Sequence, residues 1–380
     1  MPPGRIPHPR RPSDTATSLA DLRGRLGALE PARLIDLVID AARNDPALER
    51  RLRLAAARAG RDPAALGDSV ERVFARGGRL DYWQAVRYAQ AGGEVADALA
   101  VLVRDGDPAD ACPLLERAIA LLHAALDDAD DRAGTLADLM RRLLANHAAA
   151  CAGARPDPEA LARWLVGFQF GGPAQAGAAG RSVTFVVDIA EYAAVLGDAG
   201  LASYRAAIRR RWTEDPGDPQ ARAAAERLAR LDRDVDTLVA VVGGDLRHAA
   251  QYGRLARALH EIGADDDALL WAERGLRAHP ADPPGVGLRD FLVEAYLRRG
   301  GRADAVRLRR EGLRAAPGMA AYVALRKAAQ ESGRWPHERA AALSVLRDRN
   351  PADHVRALLY EEDDAEAAWS AAARTRASLG

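Results

Sequence analysis

Apolar side chains recur three and four residues apart along this chain, in runs of about 11–20 residues cut by Gly, Pro and Asp. That spacing gathers them on one face of a helix. Residues 18–28 carry Leu19, Leu22 and Leu26 in this way. Pro31 stands where a first turn tolerates proline, ahead of the broad stripe Leu34, Ile35, Leu37, Val38 and Ile39. Asp-Pro pairs at 45–46, 62–63, 107–108, 157–158, 215–216, 218–219 and 282–283 each read as an N-cap followed by a first-turn proline. Linkers of mostly two to six residues turn neighbouring helices antiparallel. The β-branched run at 182–187 continues into Asp188-Ile-Ala-Glu-Tyr-Ala-Ala-Val and reads as the start of a helix. Residues 171–180 have no apolar pattern and read as a flexible loop. The turn at 213–219 is the expected boundary between two helical parts, 18–214 and 215–380, behind a disordered tail at 1–17.

The second part repeats. Gly275-Leu276-Arg277-x-x-Pro280 returns as Gly312-Leu313-Arg314-x-x-Pro317, a step of 37, and Val345-Leu346-Arg347 follows 33 later. Gly263, Gly300 and Gly333 fall in matching turns, where glycine supplies a left-handed helix end. Ala268 and Ala305 follow the first two turns by five; Glu338 holds that place in the third. With Tyr252, Leu255, Leu292, Tyr296, Tyr322, Leu325 and Trp335, residues 249–351 resemble tetratricopeptide repeats, whose usual step is about 34. The fold class expected is therefore all-α, an α-solenoid of antiparallel helix pairs, tetratricopeptide-like in its second half, with residues 352–377 as a capping pair. In that family, first-helix residues line a groove that holds a peptide or partner helix. By position the resemblance implies Arg257, His260 and Glu261, then Asp290, Glu294 and Arg298, then Lys327, Gln330 and Glu331. Their mixed charge differs from the uniformly basic groove that clamps a peptide's terminal carboxylate.

In the first part, ALEPARLIDLVIDAARNDPALERRL at 28–52, with Asp81-Tyr-Trp, the turn Arg155-Pro-Asp-Pro and Tyr192 to Tyr204, is similar to the helical region of bacterial proteins that carry a SWIM zinc finger, and to related helical families without it. The finger's Cys-x-Cys and Cys-x-His pairs are absent from this sequence, so no zinc-finger role carries over.

Lys+Arg and Asp+Glu are equal at 54 each, which disfavours a protein that grips nucleic acid or an anionic membrane by bulk charge. Alanine excess and the near-replacement of Lys by Arg, Lys327 excepted, read as the codon bias of a GC-rich bacterium. Two cysteines in 380 residues exclude a disulfide-rich secreted scaffold. With neither a signal-peptide core nor a membrane-length apolar run, the expected location is the cytoplasm.

Candidate chemistry is sparse. A helical hairpin turning near residue 131 sets Cys112 level with Cys151, and His147 stands one turn before Cys151 on the same face. The set reads as three zinc ligands, as a disulfide, or as cysteines that are simply small buried hydrophobes; cytoplasmic proteins rarely keep disulfides. Asp127-Asp-Ala-Asp130-Asp131 lacks the Gly and Glu of a calcium loop and reads as a solvated turn. The 171–180 loop lacks the Lys and spacing of a phosphate loop. Arg209-Arg210-Arg211 beside Trp212 could stack on nucleic acid, but complements a helix C-terminus. With no catalytic constellation, the expectation is a non-enzymatic scaffold without cofactor that binds an unknown protein or peptide. The alternative is a nucleic-acid-associated accessory protein.

Overall fold

The Asp-Pro pairs act as helix starts. Asp45, Asp62, Asp107 and Asp218 each accept the backbone N–H two residues on, at 2.8–3.0 Å, with proline opening the helix. Asp157 does the same for Ala160 at 2.7 Å. The computed structural model describes residues 19–75, 78–171, 185–244, 246–280 and 287–377. Among these the chain is all-helical; the one β-type pairing is an isolated bridge between Leu80 and Ala129. The tail expected at 1–17 and the loop at 172–180 lie outside the described residues, as does Asp282-Pro283.

The chain divides into two compact units, Met1–Pro156 with Gly172–Val183, and Asp157–Gly171 with Thr184–Gly380. The turn at 213–219, expected as the boundary, lies inside the second unit and joins two helices packed on each other. Its Asp215-Pro216 starts no helix: the Asp215 carboxylate accepts the Gly217 N–H at 3.0 Å, and the next helix waits for Asp218-Pro219.

The first unit runs α1 (Leu19–Gly27), α2 (Pro31–Ala42), α3 (Pro46–Gly60), α4 (Pro63–Phe74), α5 (Tyr82–Asp105), α6 (Pro108–Leu126) and α7 (Thr135–Ala154). Helices α5, α6 and α7 bury Val95, Leu99, Leu115, Ile119, Leu122, Met140 and Leu143 completely. The acidic turn before α7 is a cap: the Asp131 carboxylate accepts the N–H groups of Leu136 and Ala137 at 3.0 Å, satisfying first-turn donors that have no partner in the helix.

The second unit begins with α8 (Pro158–Phe170), α9 (Ile189–Glu214), α10 (Pro219–Asp232) and α11 (Val235–Val242). The β-branched run at 182–187, expected to start a helix, is non-helical where the structure describes it. Residues 182–184 are outside the described set, and 185–188 are non-helical, with α9 beginning at Ile189. Here tertiary hydrogen bonds override local periodicity. Val187 N–H donates to the Gln169 side chain at 3.1 Å, the Gln220 amide donates to the Phe185 carbonyl at 3.4 Å, and both Phe185 and Val187 are buried.

The rest is α12 (Ala249–Glu261), α13 (Asp265–Ala278), α14 (Leu288–Arg298), α15 (Arg302–Ala315), α16 (Met319–Glu331), α17 (Trp335–Arg349), α18 (Pro351–Arg356), which runs on into a π-helical turn Ala357–Glu361, and α19 (Ala365–Ala377). Each helix packs on the next in sequence through α18. Gly263, Gly300 and Gly333 have φ of 82°, 78° and 69°, the left-handed conformation that ends one helix and aims the next. The 37-residue step is also a step in contacts. A Cβ on Gly275 would stand 2.5 Å from the Cβ of Tyr252, and one on Gly312 would stand 2.7 Å from the Cδ of Arg289; both pairs are 23 apart. In the third copy Glu338 replaces the small residue of the earlier two. It is buried and paired with Arg310, Nε to Oε2 at 2.7 Å.

Candidate functional site

The nine residues implied by the repeat resemblance lie on α12, α14 and α16. Their helices bury a stripe, Leu255, Ala256 and Leu259 on α12, Leu292 and Val293 on α14, and Tyr322 and Leu325 on α16, and so turn the intervening positions outward. Helices α12 and α14 pack together, which sets their two groups side by side; α16 packs on α15, α17 and α18.

Of the nine, His260, Glu261 and Asp290 make these contacts within the fold. The half-buried His260 ring meets Phe291 edge-on, with centroids 6.1 Å apart, and its Nδ1 contacts the Asp265 carboxylate. That contact holds the Asp265 carboxyl below the usual carboxylate range. Glu261 pairs with Arg230 of α10. Asp290 pairs with Arg309 of α15, both side chains 15% exposed. Arg257 is exposed. Glu294, Arg298, Lys327, Gln330 and Glu331 are exposed and make no side-chain hydrogen bond or ion pair among the described residues. An open face of both signs therefore remains, carried mainly by the second and third copies.

A second surface in this unit escaped the sequence. A groove of about 540 Å³ runs along α13, α14 and α15. Leu276, Leu292 and Leu308 form its apolar lining, beside Tyr296, which donates to Glu273 at 2.5 Å. That bond pushes the Tyr296 phenol up. The buried Arg289 guanidinium lies across Gly312 and donates to the carbonyls of Leu308 at 2.9 Å and Pro280 at 2.7 Å. The repeated glycines were the signal: each marks a place where a large side chain crosses the second helix of a pair.

The first unit holds a larger groove, about 720 Å³, between α3, α4 and α5. Six arginines line it, Arg50, Arg51, Arg53, Arg72, Arg79 and Arg87, against Asp45 and Glu49. Glu94 accepts from Arg50 at 2.7 Å and Arg51 at 3.0 Å. Burial raises its carboxyl, and these two bonds outweigh that and hold it below the usual range. Glu49 takes Arg53 at 2.9 Å. Arg72, Arg79 and Arg87 make no side-chain ion pair among the described residues, so the groove offers guanidinium forks suited to a carboxylate or phosphate. The arginines are plain in the sequence. Their convergence depends on the packing of α3 against α4 and α5, which periodicity does not encode. Nearby, α2 leaves Ile35, Leu37, Val38 and Ile39 exposed.

The remaining candidates have structural partners. The Arg211 guanidinium lies 5.2 Å over the Phe170 ring, and Arg210 stands 3.8 Å from Glu214. Cys112 and Cys151 have their Sγ atoms 3.9 Å apart, and His147 Nε2 is 3.5 Å from Cys151 Sγ. Among the described residues no three His, Cys, Asp or Glu side chains are arranged to hold a metal ion, and no helix is long and apolar enough to cross a membrane.

The profile of a family described as "Family of unknown function (DUF6880)" matches residues 22–262, about two thirds of the chain, and the chain belongs to that family. The match runs from α1 to the end of α12. No curated protein matches the chain.

Proposed function

We propose that this member of the DUF6880 family is a non-enzymatic α-solenoid scaffold. On this reading its second unit carries tetratricopeptide-like helix pairs that hold a partner protein or peptide along the exposed faces of α14 and α16. The observation that carries the reading is the recurrence of one contact at one step, Gly275 against Tyr252 and Gly312 against Arg289. A chain that repeats its inter-helix contacts at fixed spacing builds an array whose outer faces stay open. The partner would read a face of mixed charge, through Glu294, Arg298, Lys327, Gln330 and Glu331, with Arg257 beside them. Such a face favours specificity over bulk attraction. The absence of a catalytic motif from the sequence supports the non-enzymatic assignment.

Capture from the native host, with wild type beside a Glu294→Arg, Arg298→Glu, Glu331→Arg variant, tests this. Wild type recovers a specific protein that the variant, equally helical by circular dichroism, does not. Identical capture by both removes the assigned face.

A second reading, a nucleic-acid-associated accessory protein, draws on the arginine-lined groove of the first unit. Fluorescence anisotropy with a labelled single-stranded oligonucleotide at low and high salt decides it; no binding at low salt eliminates it.

A further inference from the structure

We propose that Cys112 and Cys151 form a redox-active thiol pair, closed to an intramolecular disulfide by a hydroperoxide, with His147 as the base of the closing step. The pair lies where α6 and α7 approach closely. A Cβ on Gly153 would stand 2.6 Å from Pro108 Cγ, and Ala111 and Ala150 are completely buried. Only small side chains fit this end of the hairpin. The two Sγ atoms stand 3.9 Å apart, against about 2.05 Å in a disulfide, a gap of the size that side-chain torsion closes.

The two sulfurs are not equivalent. Cys112 is partly exposed and Cys151 is buried, so a small peroxide meets Cys112 first. The hydrogen bond from Cys151 holds the Cys112 thiol below its ordinary value against burial and the Glu116 charge, and the same bond with burial pushes Cys151 up. The shared proton therefore favours Cys151, and Cys112 is the sulfur that ionises more readily to the reactive thiolate. His147 is fully buried. Its Nε2 stands 3.5 Å from Cys151 Sγ and 3.5 Å from Glu116 Oε1, where it can take the Cys151 proton.

The chemistry balances. The Cys112 thiolate attacks one oxygen of hydrogen peroxide; the O–O bond breaks, an S–O bond forms, and the departing hydroxide takes up a proton to become water. Cys151 then gives its proton to His147 Nε2, and its thiolate attacks the Cys112 sulfur. The S–O bond breaks, the S–S bond forms, and the second hydroxide leaves as water with the proton from His147. Two thiols and one peroxide become one disulfide and two waters. A cellular dithiol reverses it, consistent with the transient disulfides of reducing compartments.

The test is intact-mass and peptide mapping of the full-length protein after hydrogen peroxide. Wild type loses about 2 Da, yields one peptide pair linking Cys112 to Cys151, and regains its mass with dithiothreitol. Cys112→Ser and Cys151→Ser, folded by circular dichroism, do not lose that mass. Cys151→Ser instead accumulates a sulfenic acid on Cys112, trapped by a dimedone-type probe. His147→Gln leaves that trapping rate unchanged in the Cys151→Ser background. In the otherwise wild-type chain it slows disulfide closure by a factor on the order of 100, the span of a lost general base. Two free thiols after peroxide, or one equivalent of zinc held by wild type and lost in Cys151→Ser, overturn the proposal.

Discussion

Gly275 and Gly312 sit at the same place in successive copies but face different neighbours, which predicts different tolerances. An added methyl gains about 1 kcal/mol of helix propensity at either site, and overpacking costs about 1–3 kcal/mol. At Gly275 the methyl meets Tyr252 Cβ and Cγ and Leu288 Cδ1, all within 2.8 Å. These atoms lie in the buried core, so overpacking wins, and Gly275→Ala lowers the urea midpoint. At Gly312 it meets Cδ, Nε and Cζ of the buried Arg289, whose guanidinium is held by the Leu308 and Pro280 carbonyls but whose chain has more torsions than a tyrosine ring, so Gly312→Ala lowers the midpoint less than Gly275→Ala does. A Gly275→Ala midpoint above wild type refutes this reading of the contact. Left-handed turns were legible where glycine marked them, at Gly263, Gly300 and Gly333. Arg61, Arg155 and Arg233 end α3, α7 and α10 with φ of 48°, 51° and 54° and carry no sequence mark, because the caps Asp62, Asp157 and Asp234 beyond them start the next helices and fix the turns. A side chain there costs about 1–2 kcal/mol, so Arg61→Gly or Arg233→Gly raises stability by about 1 kcal/mol, measured as a higher denaturation midpoint.

Helix α18 carries a titration that its surroundings control. His354 is buried; burial first, then the charges of Arg347 and Arg374, hold its imidazole below the ordinary 6.5, against the opposing pull of Asp348. The unfolded chain therefore takes up a proton near 6.5 that the folded chain refuses. Its contribution to stability is complete above that pH and is lost as the pH falls from 6.5 through the depressed folded value. His354→Leu flattens this slope between pH 7 and 5 in thermal melts; an unchanged slope assigns it elsewhere. At this scale the sequence reads well at the Asp-Pro pairs that cap a helix, since cap and proline act locally; Asp215-Pro216, three residues ahead of Asp218-Pro219, is the exception. Periodicity fails at 185–188, where Gln169 and Gln220, 18 and 35 residues from Val187 and Phe185, bond the non-helical backbone. No local pattern announces such bonds. The candidate face was half legible for the same reason: position predicted exposure for Glu294 and Lys327, while the ion pairs of Glu261 and Asp290 require partners on other helices.

At the scale of the molecule, the division between Pro156 and Asp157 looks in sequence like any other Asp-Pro turn, while the more conspicuous turn at 213–219 joins packed neighbours. Only long-range packing separates the two cases. The last elements close the end of the second unit. Ala357 belongs to the same buried cluster as Tyr322, Leu325 and Leu346. Glu362 accepts from Tyr322 at 2.8 Å and pairs with Arg339 and Arg326. A chain ended after Asn350 strands that tyrosine and both arginines. It also uncovers Leu325 and Leu346 of that cluster, at about 1.5–3 kcal/mol for a side chain fully exposed, so its melting temperature falls by about 3 °C or more; calorimetry that finds no drop rules out this role for the C-terminal helices.

The contact made at Gly275 and repeated 37 residues on at Gly312 has, on the proposed array reading, a consequence for chain length. Where each copy offers its successor the surface it received, a duplicated segment meets a neighbour it already fits. A chain in which residues 276–312 are written twice in tandem is expected to fold, with a larger unfolding enthalpy and no new kind of interface. The same property makes length the quantity that a tandem duplication in the gene changes most easily, and the proposed partner face would lengthen with it.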